Sequence, residues 1–512
     1  MEVLAVPLLR RMRAVLACVA VFGSAILSGH VAQAQTRTQT HAPVADPAPD
    51  ARADCADTGD ELRYLVVFDR GTTQQAAEAE IAQACGRTTV YYPQIAVAVV
   101  TSDAVAFADA IGRERAFSAE GEAISRPDDG PGRRRIADET TPTHAPITSG
   151  AEAVSEADRT DEQWNMRLIG AEKAHAVTEG SRDVVVGVLD SGIDPKHPDL
   201  AKALDPALSA GCLTGRPDPS PRAWEPTSSA HGTHVAGIIA AADDGKGVTG
   251  VAPGVRVASV KVVDDSGFIY PEYAVCGLMW AAAKGMTVTN NSYFVDPWLF
   301  TCDTGRREHV VYEAVRRAVD YASGAGVAHV AAATNSASDL TKPRAQNGKL
   351  DRGGVASSNQ ARQMDSSCDV LPAGLRGVTA VSAVGPNKLK AGYSAYGLGV
   401  VDVAAPGGER AEGADPEAGC VLSTVPNGYE YSCGTSMATP HATGVLALLA
   451  SAKPHASPTQ LARSLATQAE SLPCPTDYDL NGSGTQDAYC SGYGPFNGFH
   501  GHGLVDALAA VN

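Results

Sequence analysis

The sequence predicts an α/β fold built on a mostly parallel central sheet covered by helices on both faces. Three observations carry that prediction. Short apolar runs at residues 184–189, 255–263, 286–289, 327–333 and 378–384 have the near-continuous hydrophobic character of strands buried on both sides. Helical stretches at residues 234–242, 273–284 and 306–322 separate several of them, as crossovers between parallel strands require. The composition agrees, since 51 Gly and 31 Pro with only 5% aromatic residues fit a loop-rich α/β protein better than a helical bundle.

The 512 residues exceed one ordinary core, and 44% hydrophobic against 19% charged residues excludes global disorder. A formal charge of −17 repels phosphate backbones, so no nucleic-acid partner is expected. In chain order, Arg10, Arg11 and Arg13 precede an apolar run over residues 14–27, and Ala32 and Ala34 follow as small residues. That is the three-part plan of an export signal over residues 1–34, too short to serve as a stable membrane anchor. Cys18 stands at the start of the apolar run, whereas a lipidation site would close it. Residues 35–60, rich in Thr, Ala, Pro and Asp, read as a flexible leader. Residues 61–125 pattern as a compact α+β module: a strand at 64–68, a helix at 72–85, strand-forming residues over 88–101 around Pro93, and a helix at 103–111. Residues 126–162 lack periodicity and carry Arg133, Arg134 and Arg135, so they read as an exposed linker and a candidate processing segment. Residues 163–512 hold the predicted sheet.

Eleven cysteines are many for a reducing compartment and fit a secreted protein. Loss of the signal removes Cys18. Cys55 and Cys85 then lie in the N-terminal region and eight cysteines lie beyond residue 200, both even sets. Proximity in sequence favours Cys276 with Cys302, Cys420 with Cys433, and Cys474 with Cys490, leaving Cys212 for Cys368. Eight cysteines allow 105 pairings, so spacing alone does not decide among them.

Three motifs converge on acyl transfer. Asp190 closes a predicted strand ahead of Ser191 and Gly192. His231, followed by Gly232, Thr233 and His234, opens a helix. Ser436, between Thr435 and Met437 and followed by Pro440 and His441, opens another. Singly these are a cap, a helix start and a turn, and the His231/His234 pair lacks the Glu of the zinc-protease pattern. Together they supply a serine nucleophile, an imidazole that takes its proton and returns it to the leaving amine, and a carboxylate that fixes the imidazole tautomer.

The order Asp190, His231, Ser436 is that of the subtilisins, not of chymotrypsin or the α/β-hydrolases. The motifs resemble those of the subtilisin-like serine protease (subtilase) family, over roughly 350 residues from Gln163 onward. The stretch Gly250 to Pro253 and the closing Gly501, His502, Gly503 and Leu504 are similar too. The resemblance implies Ser436 as nucleophile, His231 as base then acid, Asp190 as orienter and His234 as a structural histidine. It also implies Asn335 as the side-chain donor to the oxyanion, although Thr334 stands where the family usually has Gly. It places substrate strands along Ser266, Gly267 and Phe268, and along Ser292, Tyr293 and Phe294, with Phe294 at a position where the family normally has Gly. An apparent insertion between Asn335 and Val378 carries Lys342, Arg344, Lys349, Arg352 and Cys368. Its basic residues read either as a solvated loop or as a preference for acidic substrates.

The resemblance further implies no cofactor for the chemistry and leaves room for a structural calcium at Asp199 and Asp244. A second acidic turn, Asp477, Asp479 and Asn481, opens like a calcium loop, but Ala488 stands where such a loop needs Glu. The favoured reading there is a Gly-rich turn closed by Cys474 and Cys490. By position and element order, residues 61–125 correspond to the family's inhibitory propeptide. The whole reads as a secreted, monomeric endopeptidase precursor, acting on proteins or peptides and restrained by its own propeptide. A catalytically dead relative used as a binding module, and an esterase, are the alternatives. The complete residue set disfavours the first, and the missing Gly-x-Ser-x-Gly elbow disfavours the second.

Overall fold

The computed structural model describes residue 55 and residues 57–124, 152–154, 157–304, 307–342, 364–409 and 416–512. The expected export signal at 1–34, Arg133, Arg134 and Arg135 in the linker, and Arg344, Lys349 and Arg352 in the insertion lie outside the described residues.

Seven parallel strands form the central sheet, in the order Val403–Pro406, Val378–Val384, Ala328–Ala332, Val288–Asn291, Val185–Asp190, Arg256–Lys261 and Ala210–Gly211. The period-two alternation of strand side chains sorts them onto two faces. Val185, Leu189, Val260, Ala331 and Ala380 share a core with the helices Pro271–Ala283 and Glu308–Gly324. Val186, Val188, Val257, Val330 and Val381 share another with the helices His231–Ala240 and Thr435–Ala452. Both faces are therefore apolar, which is why these strands read as runs rather than as alternation.

The N-terminal module is a four-stranded antiparallel sheet, Arg87–Tyr92, Val97–Ala104, Thr58–Val67 and Ala116–Phe117, with the helices Gln74–Gln83 and Phe107–Ile111. One face of that sheet, through Tyr64, Val66, Ala98 and Val100, packs on Ile81 and Phe107 as the module's own core. The other face, through Leu65, Val97, Val99 and Phe117, joins the core under the helices Pro271–Ala283 and Glu308–Gly324. Each such side chain fully removed from water stabilises the contact by about 1.5–3 kcal/mol. The seam also has directed bonds. The buried Arg317 donates to the carbonyls of Phe68 at 2.8 Å and Ile95 at 2.9 Å, and Tyr92 donates to the Gly215 carbonyl at 2.8 Å. Helix Pro271–Ala283 is apolar nearly all round because it lies between two sheets, an arrangement a surface helix would not tolerate.

Five disulfides join the described cysteines. Cys55–Cys85, Cys420–Cys433 and Cys474–Cys490 follow local spacing. The other two correct the expectation from proximity: Cys212 bonds Cys276, and Cys302 bonds Cys368. The reason is the topology. Cys212 follows the edge strand Ala210–Gly211 and meets the crossover helix, while strands Thr301–Cys302 and Cys368–Asp369 pair with the two cysteines in register. Crossovers bring distant segments together, so separation along the chain is a poor guide to neighbours. Among the described residues no helix is long and apolar enough to cross a membrane.

Candidate active site

Asp190 meets His231 at the carboxyl end of a central strand. Asn335, just after another strand of the same sheet, meets the start of the Ser436 helix, on the side where open α/β sheets expose strand ends and helix starts. Asp190 is the last residue of a central strand and is 1% exposed. Its carboxylate faces His231 Nδ1 at 2.8 and 3.0 Å and accepts the Ser191 N–H at 2.7 Å. His231 is the first residue of its helix. Gly232 lets that helix start press against the strand end: a Cβ there would lie 2.5 Å from the Gly192 carbonyl oxygen and 3.2 Å from Asp190 Cβ.

Ser436 is the second residue of the helix Thr435–Ala452, so its N–H has no intrahelical acceptor and is available to an anion. Pro440, four residues on, has no N–H to bond the Ser436 carbonyl. The Ser292 hydroxyl bonds that carbonyl instead, at 3.0 Å, and the Ser436 hydroxyl returns a long 3.3 Å bond to the Ser292 carbonyl. The expected nucleophile is thus tied to an expected substrate segment while no substrate is bound. Hydrogen bonds of catalytic groups are commonly loose in that state and tighten on binding.

Asn335 follows strand Ala328–Ala332. Its Oδ1 accepts from the Thr435 N–H at 2.8 Å and from the Thr435 hydroxyl at 2.7 Å. A backbone N–H can only donate, so the atom facing it is the oxygen, and the amide NH2 is turned the other way as a donor. Thr334, one residue earlier, has φ 92°, a region that a β-branched residue rarely enters and a glycine enters freely. The unusual residue therefore occupies a conformation that a glycine enters freely.

Two other histidines on the same helices are structural. His234 contacts the Glu430 carbonyl at 3.0 Å, and burial pulls its pKa down to about 3. His441 contacts the Met437 carbonyl at 2.7 Å through Nδ1 and the Asn165 amide at 2.8 Å through Nε2, and burial pulls it to about 4. Both are neutral near pH 7.

Of the expected substrate segments, Ser266 is exposed and Gly267 is buried, in a turn closed by the Asp264 N–H on the Phe268 carbonyl at 3.0 Å. Ser292 contacts Ser436 as above. Tyr293 and Phe294 turn their rings into the core, and the Tyr293 hydroxyl donates to Asn291 Oδ1 at 3.0 Å. Asp199 and Asp244, expected to share a calcium, have separate partners. The buried Asp199 carboxylate accepts the Val248 N–H at 3.1 Å and the Tyr429 hydroxyl at 3.0 Å, whereas Asp244 faces the Lys202 ammonium at 3.1 Å on the surface. As arranged, each carboxylate faces a hydrogen-bond donor of the protein. Among the described residues no group of three or more His, Cys, Asp or Glu side chains converges on a metal position. The turn at Asp477 to Asn481 is closed by the Cys474–Cys490 disulfide. Asp479 there accepts the N–H groups of Ser483 at 2.9 Å and Gly484 at 2.6 Å.

The model of the subtilase family, Peptidase_S8, matches residues 181–494, more than half of the chain. The chain belongs to the subtilase family. It is 31% identical to fervidolysin of Fervidobacterium pennivorans over 352 residues, 65% of this chain but only 42% of that protein. It is 32% identical to subtilisin DY of Bacillus licheniformis over 310 residues, 60% of this chain and 92% of that one. Among solved structures, the epidermin leader peptide processing serine protease of Staphylococcus aureus superposes with a TM-score of 0.63 at 20% identity. It covers 89% of this chain and 98% of its own, a likeness of fold. Within this fold Asp190 meets His231, and Asn335 meets Thr435 beside Ser436. Thr435 and Pro440 were not assigned roles from sequence, although both lie inside the serine motif itself, whereas Ser292, expected in a substrate strand, also bonds the Ser436 carbonyl.

Proposed function

We propose that this subtilase is a secreted serine endopeptidase, made as an autoprocessed zymogen, in which Ser436 is the nucleophile. Ser436 Oγ attacks the scissile carbonyl as its proton passes to His231 Nε2. The Asp190 carboxylate holds the Nδ1 proton and stabilises the imidazolium that forms. The oxyanion receives bonds from Asn335 Nδ2 and the Ser436 N–H, and it develops where those donors already stand. Collapse breaks the C–N bond as the imidazolium protonates the amine, leaving an acyl ester on Ser436. Water, deprotonated by His231, then hydrolyses that ester. The segments at Ser266, Gly267 and Ser292 pair with an extended peptide through backbone bonds that do not depend on its sequence. Tyr293 and Phe294 support the second segment from the core.

The module at 61–125 acts as the inhibitor and folding template. The observation behind this is the helix Pro271–Ala283, whose outer face is apolar and is covered by the module's sheet. Cleavage falls within the linker 126–162. The five disulfides fit an oxidising destination. The single observation that carries the reading is the 2.8 Å Asp190–His231 bond, at the end of a strand in the same sheet as the strand that Asn335 follows.

A serine-directed phosphonate applied to purified enzyme, with the label mapped by mass spectrometry, tests it. Label on Ser436 together with peptide turnover is expected, as is an intact linker in Ser436→Ala. Folded protein that takes no label overturns the reading. An equally processed linker in wild type and Ser436→Ala overturns autoprocessing.

A further inference from the structure

Lys390 is a lysine buried to 1% exposure, outside the triad and without a carboxylate in hydrogen-bond contact. Its ammonium donates to the carbonyls of Ala391 and Ser394, both at 2.8 Å, and so folds the strip 391–396 back upon itself. The rings of Tyr478, Tyr396 and Phe499 close over it, with centroids at 5.0, 5.3 and 5.3 Å. Tyr478, inside the Cys474–Cys490 loop, also donates its hydroxyl to the Lys390 carbonyl at 2.8 Å. Burial draws the ammonium down to about 7, and only the more distant Glu409 and Asp487 charges oppose that. A buried amino group with both carbonyl bonds at 2.8 Å marks a place where those hydrogen bonds matter.

The strip that Lys390 folds is bonded along its length to the loop bearing Asn335. The Ala395 N–H donates to the Thr334 carbonyl at 3.0 Å, and the Ala337 N–H to the Tyr393 carbonyl at 2.8 Å. The Tyr396 N–H donates to the Ser338 carbonyl at 3.0 Å, and the Leu340 N–H to the Tyr396 carbonyl at 2.7 Å. The same strip reaches the nucleophile: the Tyr393 hydroxyl donates to the Gly407 carbonyl at 2.9 Å, which also accepts the Gly434 N–H at 2.9 Å, two residues before Ser436. Thr334 and Ala337 both have positive φ, so the Asn335 loop sits in a conformation that its own residues do not favour and that external bonds must hold.

We propose that Lys390 is a positioning residue for peptide hydrolysis, its ammonium fixing the strip 391–396 that keeps Asn335 aimed at the oxyanion. The proposal rests on Asn335 being the oxyanion donor, as argued above. It also gives the Cys474–Cys490 loop a task, since that loop supplies the ring and hydroxyl that seal Lys390 in place.

The test is a double-mutant cycle on enzyme purified from the full chain, with rates normalised to active sites counted by phosphonate titration. Lys390→Met keeps the stem and removes the donors. It should lower kcat by about tenfold with KM little changed, and Lys390→Arg, which restores donors, should recover most of that loss. In an Asn335→Ala background the same Lys390→Met change should alter kcat less than about twofold, because the two residues act through one another. Tyr478→Phe, which removes only the hydroxyl on the Lys390 carbonyl, runs the same cycle with a milder loss if Lys390→Met does not fold. Equal losses in both backgrounds, or a loss confined to KM, overturn the proposal while leaving Asn335 in its role. An Asn335→Ala enzyme with unchanged kcat overturns the oxyanion reading and this proposal with it.

Discussion

The two halves of the proposed site, the triad and the oxyanion donor, are held by different means. Asp190, His231 and Ser436 stand on a central strand and two long helices that share one apolar core, so their positions follow from packing. Asn335 stands on a loop with a positive-φ neighbour, aimed by Thr435 and tied to the strip 391–396. Regular elements deliver a side chain through the geometry of the whole fold, whereas a loop must be pinned bond by bond. The triad half should therefore fail when its chemistry is changed and the oxyanion half when its pins are changed.

The sharpest break falls on the triad half. Asp190→Asn keeps size and hydrogen-bonding capacity but offers His231 Nδ1 a donor, which favours the wrong tautomer. A fall in kcat of about 10⁴ is expected, with the fold intact. Steady-state kinetics on a peptide substrate beside a thermal melt measures it. A loss under tenfold would mean that Asp190 does not orient His231, and the contrast between the halves would collapse.

A second test uses the buried histidines of the triad half. His441 titrates near 4 in the folded enzyme because burial disfavours its charged form, against 6.5 when exposed. Above pH 6.5 neither folded nor unfolded chain holds that proton. As pH falls from 6.5 towards 4 the unfolded chain takes it up first, so stability contributed by neutral His441 is present at neutral pH and lost on acidification. In His441→Gln the decline of stability with acid over this window should be shallower by up to about 1.4 kcal/mol per pH unit. Denaturant titrations at several pH values measure the slopes. Parallel slopes would show that His441 takes up its proton equally in both states.

The same contrast governs what the sequence discloses. Asp190, His231 and Ser436 were legible because each needs fixed neighbours: Gly232 for the close approach to Asp190, and Pro440 to free the Ser436 carbonyl. The strands at 184–189 and 378–384 were legible because both of their faces are apolar. Strand Val403–Pro406 and the hairpin Val421–Val425 with Gly428–Ser432 were missed, being short and flanked by Gly or Pro. The pairings of Cys212 with Cys276 and of Cys302 with Cys368 were not legible, since they depend on which crossover lands beside which. Lys390 gave no signal at all. Its burial is made by Tyr478 and Phe499, roughly a hundred residues downstream in sequence and brought near only by the fold.

The smallest effect is the most discriminating for the oxyanion half. Thr334 at φ 92° carries strain of about 1–3 kcal/mol, which a glycine would relieve, while the added freedom of the unfolded glycine returns up to about 1 kcal/mol. Thr334→Gly also removes the part-buried 3.0 Å bond between the Thr334 and Ser336 hydroxyls, a tie within the loop. The expected outcome is an enzyme more stable by about 1 kcal/mol and slower in kcat by a few-fold, read from melts and from kinetics on the same preparation. Stability and activity moving in opposite directions would mean that the loop is kept strained because the strain holds Asn335. If both fall together, Thr334 is simply well packed, and the oxyanion half is built like the triad half after all.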